Sequence, residues 1–251
     1  MTYLCFRPYV KDTKHMKMKI TSEKMSARVT LGLLLISATV AHAALIGFEA
    51  ESGAATVTST IHDGFQPILS DPLASGGQYI TTENRVPAPA PGAFPSDLRY
   101  TATYNVLFSE AGDYDLYARL QVEVGNADDS FFYGRIFDTP DPTSDTDNAW
   151  ININDLVTKG PVGEYIWVNL SEHTGVASDA GTVFTGVTAG PQEFWIGGRE
   201  DGLRIDAFAF GTADQTFTND QLDASLVPEP SIFGMLLLSS MGALTMRRRR
   251  V

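Results

Sequence analysis

The sequence predicts an all-β fold, an antiparallel β-sandwich of the jelly-roll type, because its central region alternates with a period of two and shows no long helical pattern. Short apolar runs are separated by Gly, Pro, Asn and Asp, and no strand–helix–strand rhythm is present. The clearest run is 113–122, where every second residue is apolar. Its predicted inner face consists of Tyr114, Leu116, Ala118, Leu120 and Val122.

Five further segments show strand-like composition and are predicted as strands: 99–108, 130–137, 165–170, 192–199 and 203–210. The Pro/Ala-rich stretch from Pro87 to Pro95 and the acidic stretch from Asp138 to Asp147 are interpreted as loops of one domain, which we expect to cover 44–211. The polar composition of 212–226 predicts a linker.

Charge is distributed unevenly along the 251 residues, whose net charge is −12. Residues 44–230 hold seven basic and 28 acidic side chains, a net charge of −21. Such a surface repels nucleic acid, since binding it depends on Lys and Arg neutralising phosphate, and it attracts divalent cations. Cys5 is the only cysteine and precedes the predicted cleavage point, so no disulfide or thiol chemistry is expected in the mature domain.

The N-terminal 43 residues have the order of a signal peptide. Lys24 and Arg28 precede an apolar run from Val29 to Val40, and Ala41-His42-Ala43 has the small-x-small pattern cut by signal peptidase. Translation starting at Met25 would still include most of this signal. The alternative interpretation of the apolar run is a short buried helix. The segment predicts export.

The C-terminal segment 227–251 combines a short motif, 16 mostly apolar residues from Ser231 to Met246, and a basic cluster. Sixteen residues fall below the roughly 20 that span a bilayer, and a distal arginine cluster favours a cytoplasmic end. The motif is Val227, Pro228, Glu229 and Pro230, and the cluster is Arg247, Arg248, Arg249 and Arg250. This order resembles a PEP-CTERM sorting signal. The resemblance implies a transient inner-membrane stage, cleavage by an exosortase-type protease, and release to the cell surface, outer membrane or extracellular matrix.

Five segments in the central region resemble carbohydrate-binding modules of families 6 and 35, which have a galactose-binding-like jelly-roll fold. They are Phe48-Glu49-Ala50-Glu51, 74–80, 111–119, 128–132 and 199–206. The resemblance implies that the domain binds polysaccharide and carries a structural calcium ion on acids of the first and last segments. The Pro-rich insert and a poorly defined aromatic pair in the sugar-binding loops depart from the family pattern.

Glu49, Glu51 and Asp206 are the candidate metal ligands. Glu49 and Glu51 are two apart on a predicted strand, and Asp206 shares the face of Phe208 and Phe210 in the predicted last strand. First and last strands of a jelly roll are commonly adjacent, and converging carboxylates repel one another unless a hard cation such as calcium binds them. The alternatives are solvated acids, or a salt bridge from Asp206 to Arg204 or Arg199.

Sugar binding needs an exposed aromatic face, and the candidates are Trp150, Tyr79 and Trp167, with Trp150 expected to be the most exposed. Three loop residues could accept hydrogen bonds from sugar hydroxyls, or could simply form a solvated turn: Asn126, Asp128 and Asp129. The acidic run Asp138, Asp141, Asp145 and Asp147 could bind a second calcium, but it lacks the glycine and final glutamate of an EF-hand loop, which favours a solvated loop.

Catalytic motifs are lacking in the predicted mature chain. Only His62 and His173 remain there, without an HExxH zinc motif or a GxSxG nucleophile elbow. We therefore expect a non-catalytic protein that binds a neutral polysaccharide. The alternatives are a purely structural matrix protein, and a small glycosidase with two carboxyl groups roughly 5–10 Å apart in a cleft.

Overall fold

A computed structural model describes residues 44–53, 57–82, 94–123, 129–146, 148–175 and 178–226. The signal segment with Ala41 and Ala43, the sorting tail 227–251, and most of the Pro-rich stretch lie outside these ranges, as do Asn126, Asp128 and Asp147. The predictions made for them stay predictions. None of the helices in the described ranges has the length and apolar character needed to cross a membrane.

Twelve strands and one α-helix form in the described ranges. The strands are β1 Leu45–Glu49, β2 Val57–Ile61, β3 Phe65–Ser70, β4 Gln78–Thr82, β5 Thr101–Phe108, β6 Gly112–Gln121, β7 Phe131–Gly134, β8 Trp150–Ile153, β9 Ile166–Asn169, β10 Phe184–Val187, β11 Gly190–Gly198 and β12 Arg204–Thr212. Helix α1 is Asn219–Leu226, and short 3₁₀ turns cover Ser75–Gly77, Leu98–Tyr100 and Leu156–Lys159.

The strands form two antiparallel sheets. In the larger sheet the order is β10-β6-β12-β4-β3, with β1 also paired to β12 and β9 also paired to β6. The smaller sheet has the order β2-β5-β11-β7-β8. The two sheets enclose one aromatic-rich core, in which the rings of Phe194 and Phe210 meet edge to face at 5.2 Å. The predicted all-β jelly-roll sandwich is confirmed.

The predicted alternation of β6 is confirmed and defines the two faces of the larger sheet. Leu116, Ala118 and Leu120 are buried in the core between the sheets. Arg119 alternates with them and therefore lies on the opposite face, which we call the outer face. The register then aligns outer-face residues of four strands in one row: Glu49, Ala207, Arg119 and Trp167.

Strands of four to six residues were missed from the sequence, namely β2, β3, β4, β8 and β10. Such short segments contain too few residues to show a period. The predicted strand 99–108 begins later, at Thr101, because Leu98–Tyr100 forms a 3₁₀ turn. Asp97 caps that turn by accepting a hydrogen bond from the Arg99 backbone N–H at 2.9 Å.

The segment 212–226 is not a simple linker, because its last part is helix α1, which packs on the outer face. Leu222 and Leu226 lie four residues apart on one side of α1 and are both buried. A Cβ on Gly47 of β1 would lie 2.8 Å from the backbone carbon of Ser225, so the helix touches the strand closely. The polar residues that suggested a linker occupy the solvent side of α1.

Candidate functional site

Two of the predicted metal ligands meet at the 3₁₀ turn Ser75–Gly77. Strands β1 and β12 are paired, with Glu49 opposite Ala207, so the prediction that first and last strands are adjacent is confirmed. The Ser75 hydroxyl donates to Glu49 Oε1 at 2.8 Å, and the Ser75 backbone N–H donates to Asp206 Oδ2 at 3.2 Å. The turn therefore links both carboxylates.

Glu51 joins this cluster from a turn and not from the strand on which it was predicted. Strand β1 ends at Glu49, and the Gly53 N–H donates to the Glu49 carbonyl at 2.8 Å. A Cβ placed on Gly76 would lie 3.5 Å from Glu51 Oε1 and 3.6 Å from Glu49 Oε1. Gly76 has a φ of 62°, a left-handed conformation that favours glycine. The two glutamates thus form the walls of a small space that the missing side chain leaves open.

The predicted orientation of Asp206 was wrong. A β-bulge between Ile205 and Ala207 breaks the alternation of β12, so Ile205 joins Phe208 in the core. Asp206 instead contacts Ser75 and the outer-face residue Arg119. The bulge is the reason that a fully buried carboxylate does not face the apolar core.

Burial raises the pKa of Glu49 and Asp206, and it raises that of Glu51 to about 7. Glu49 and Asp206 add a repulsive contribution at Glu51, which is 7% exposed. Among the described residues, one oxygen of each carboxylate is buried and has no hydrogen-bond partner: Glu49 Oε2, Glu51 Oε2 and Asp206 Oδ1. Buried carboxylate oxygens are costly to leave unpaired, so the cluster is electrostatically incomplete.

Arg119 forms an ion pair with Asp206. The salt-bridge alternatives named for Asp206 were wrong, because Arg204 pairs with Asp71 and Glu123 whereas Arg199 pairs with Glu200. Arg119 brings a single positive charge to three carboxyl groups.

As they stand, no three His, Cys, Asp or Glu side chains of the described ranges are arranged to hold a metal ion. Arg119 and Ser75 occupy oxygens of Asp206 and Glu49 that a cation would need. Carboxylate and hydroxyl oxygens are nevertheless the ligands of a hard cation, and the three unpaired oxygens fit that chemistry.

The aromatic candidates Trp150 and Tyr79 are both buried, so the expectation that Trp150 would be the most exposed of the three was wrong. Trp150 is 0% exposed, and its Nε1–H donates to the Asp141 carbonyl at 2.8 Å because the acidic loop folds back over it. Tyr79 is 7% exposed, and the Arg204 guanidinium lies 4.9 Å from its ring centroid. Neither ring offers a face to a ligand.

Trp167 is half-buried on the outer face, on strand β9, which pairs only with β6 among the described residues. Its Nε1–H donates to Asp223 Oδ1 of α1 at 2.8 Å. Tyr165, which was not among the residues predicted from the sequence, is two residues away and is also half-buried, with the Arg119 guanidinium 5.1 Å from its ring centroid. The spacing of two aromatics by one residue was the signal that could have identified this pair.

Carboxylates of the acidic stretch 138–147 accept hydrogen bonds from backbone N–H groups of nearby residues. Asp141 Oδ1 accepts from the Thr143 N–H at 2.8 Å, and Asp145 Oδ1 accepts from the Trp150 N–H at 3.2 Å. These contacts match the solvated-loop alternative more closely than a second calcium site.

Asp129, a candidate for binding sugar hydroxyls, is buried instead of lying in an open turn, and burial raises its pKa.

A groove of about 440 Å³ lies between β10 and the segment after β7. Its lining residues are Arg135, Ile136, Phe137, Thr182, Val183, Phe184, Thr185, Gly186, Val187, Thr188 and Gln192. These lining residues include no carboxyl group. The groove therefore lacks the facing acids that glycoside hydrolysis uses.

No known protein family matches the sequence, and no curated protein is similar to it at a significant level. Solved structures give a loose likeness. A GH26-CBM35 β-(1,4)-mannanase from Podospora anserina is 15% identical with a TM-score of 0.40, over 68% of this chain and 28% of the mannanase. A family 35 carbohydrate-binding module from Clostridium thermocellum is 11% identical with a TM-score of 0.38, over 68% and 99% of the two chains.

The C-terminal family 6 module of a marine laminarinase from Zobellia galactanivorans is 14% identical with a TM-score of 0.35, over 67% and 100% of the two chains. At these identities and scores the likeness says nothing about a ligand or an activity. Functional inference about this chain therefore depends on its own residues.

Proposed function

We propose that this chain is an exported, non-catalytic protein whose jelly-roll domain binds polysaccharide on the outer face of its larger sheet. The observation that supports this most is the pair of half-buried rings Tyr165 and Trp167 beside the edge strand β9. Aromatic rings that are partly exposed at the surface are the places where the C–H side of a sugar ring packs. Arg119 and Asp223 lie beside them and supply hydrogen-bonding groups for sugar hydroxyls.

The ligand is a neutral glycan. The domain carries a large excess of carboxylates, which repels uronate or sulfate groups. Two aromatic rings flanked by a carboxylate and a guanidinium suit hydroxyl recognition, because both charged groups form strong hydrogen bonds with neutral partners.

We further propose that Glu49, Glu51 and Asp206 hold a structural calcium ion. The three buried oxygens without a partner, and the space beside Gly76, support this assignment. A bound divalent cation would supply charge compensation for the cluster and no catalytic chemistry. Its protein ligands would then hold β1, β12 and the turn Ser75–Gly77 together on the same outer face as the proposed sugar-binding rings.

A glycan array probed with and without chelator tests the binding proposal. Trp167→Ala should weaken binding to the recognised glycan at least tenfold, and Tyr165→Ala should also weaken it, since each removes a stacking ring. Trp150→Phe is the matched control, because Trp150 is fully buried. If Trp167→Ala and Trp150→Phe bind equally well, the outer face is not the sugar site.

A second candidate is a structural matrix or surface protein on the same fold, without a sugar site. The burial of Trp150 and the covered ring of Tyr79 favour it, because both were candidates for sugar stacking. An array on which no polysaccharide binds would support this candidate over the first.

We also propose export and C-terminal sorting. The support is the sequence in which the basic, apolar and motif segments follow one another in 1–43 and in 227–251. Intact-mass measurement of the protein recovered from the surface of a polysaccharide-producing Gram-negative host tests both cuts. A mass that includes the Arg247–Arg250 cluster would reject processing near Pro228.

A further inference from the structure

Arg119 is shared between the carboxylate cluster and helix α1. Its Nη1 pairs with Asp206, and its Nε lies 3.7 Å from Asp223 Oδ1. Its Nη2 also donates to the Leu73 carbonyl at 3.4 Å. One guanidinium thus bridges β12, the loop before the Ser75–Gly77 turn, and the helix that covers the outer face.

The two acid partners of Arg119 differ strongly in their surroundings. Asp206 is fully buried and holds the guanidinium closely, whereas the Asp223 side chain is 56% exposed and lies at the longer distance. Solvent screening makes the Asp223 pair the weaker of the two. Without a cation, Arg119 therefore forms its stronger ion pair with Asp206.

A divalent cation and a guanidinium compete for the same oxygens of Asp206. Bringing both next to one carboxylate places like charges within a few ångströms in a poorly solvated site, which is unfavourable. When the carboxylates bind a cation, Arg119 loses its strongest partner. Asp223 is the nearest remaining carboxylate among its described ion-pair partners.

We propose that Arg119 couples the cation site to helix α1: with a cation on Glu49, Glu51 and Asp206, Arg119 pairs with Asp223 and fastens α1 onto the outer face. This inference rests on the proposed cation site and describes how occupancy of that site would regulate the sugar-binding face. Asp223 also accepts the Trp167 Nε1–H, so the same change orders the aromatic pair.

Coupling of this kind is reciprocal. If the cation strengthens the contact between Arg119 and Asp223, that contact must favour cation binding by the same factor. The helix that precedes the sorting tail would then be held firmly where calcium is abundant, outside the cell, and more loosely where it is scarce.

Amide hydrogen exchange of residues 219–226 in the full-length chain tests the coupling, with calcium or with chelator. Calcium binding itself is measured separately by isothermal titration. We expect calcium to slow exchange of α1 at least about fivefold, and Asp223→Asn to abolish that effect while calcium still binds. Asp220→Asn is the matched control, since Asp220 is an exposed acid of the same helix.

Arg119→Gln supplies the second variant. It removes the competing charge, so calcium should bind more tightly, by about fivefold or more, without slowing exchange of α1. If calcium binds to the wild-type chain and α1 exchanges equally fast with and without it, the coupling is refuted while the cation site stands. If Asp220→Asn acts like Asp223→Asn, the effect is general helix electrostatics and the coupling through Arg119 is again refuted. Absence of calcium binding to the wild-type chain would refute the cation site itself.

Discussion

The raised pKa of Glu51 predicts an unusual pH dependence of stability in the absence of a cation. Its carboxyl titrates near pH 7 in the folded domain, against 4.5 as the ordinary value, because burial disfavours its charged form. Between these two values the folded state keeps the proton that the unfolded chain has lost. The free energy of unfolding therefore falls as pH rises from 4.5 to 7.

The size of the effect follows from the difference between the two pKa values. At about 1.4 kcal/mol per pH unit, Glu51 alone destabilises the domain by about 3 kcal/mol at pH 7.5 relative to its protonated form. For a domain of this length this corresponds to a fall in Tm of about 6–12 °C. Glu51→Gln imitates the protonated carboxyl at every pH, so in chelator at pH 7.5 it should melt higher than the wild-type chain by that amount.

Thermal unfolding in chelator from pH 5 to pH 8, for the wild-type chain and Glu51→Gln, measures this prediction. The difference between the two curves removes the contribution of every other titrating group that the variant leaves unchanged. A difference that stays constant across this range, or a variant that melts lower than the wild-type chain at pH 7.5, would refute the destabilisation by Glu51. With calcium the order should reverse, because the amide that Glu51→Gln introduces is a weaker ligand than a carboxylate.

Four further substitutions, of which Gly77→Ala is a control, test the site and the fold. Asp206→Ala should lower the Tm in chelator, because it breaks the buried ion pair with Arg119, and should lower it further in calcium; equal losses in both would assign Asp206 to the ion pair alone. Gly76→Ala places a methyl group 3.5 Å from Glu51 Oε1 and should weaken calcium binding about tenfold, measured by titration. Gly77 has a similarly left-handed φ of 79°, and no atom of the described part of the chain lies within 4 Å of an added Cβ, so Gly77→Ala should share the strain without the loss of affinity. Leu222→Ala should cost about 2–3 kcal/mol in chemical unfolding, whereas no change would mean that α1 is not part of the domain.

The β-rich fold and the meeting of its first and last strands could be predicted from local patterns. In 113–122 the alternation is long and unbroken, so the inner face of β6 is correct residue by residue. The clustering of Glu49 with Asp206 follows from strand adjacency in a jelly roll, and the pairing of β1 with β12 bears it out. Both inferences needed only periodicity and the adjacency of strands.

The orientation of individual side chains could not be predicted in the same way. A single bulged residue turned Asp206 away from the core, and nothing in the local sequence marks that position. Trp150 follows a polar loop and was expected to be exposed, but that loop folds back and its Asp141 carbonyl accepts a hydrogen bond from the indole. The accessibility of a ring depends on what other segments cover it.

Sequence alone determined the fold class, the acidic charge and the type of residue available at each end of the sheet, because these properties are local or additive along the chain. The tertiary structure alone decided that Arg119 stands between Asp206 and Asp223, that Tyr165 and Trp167 are half-buried on the outer face, and that 219–226 is a helix on the sheet. Those facts depend on contacts between residues far apart in sequence. Such contacts form through the register and packing of whole strands, so the charge environment of each group is known only once the chain has folded.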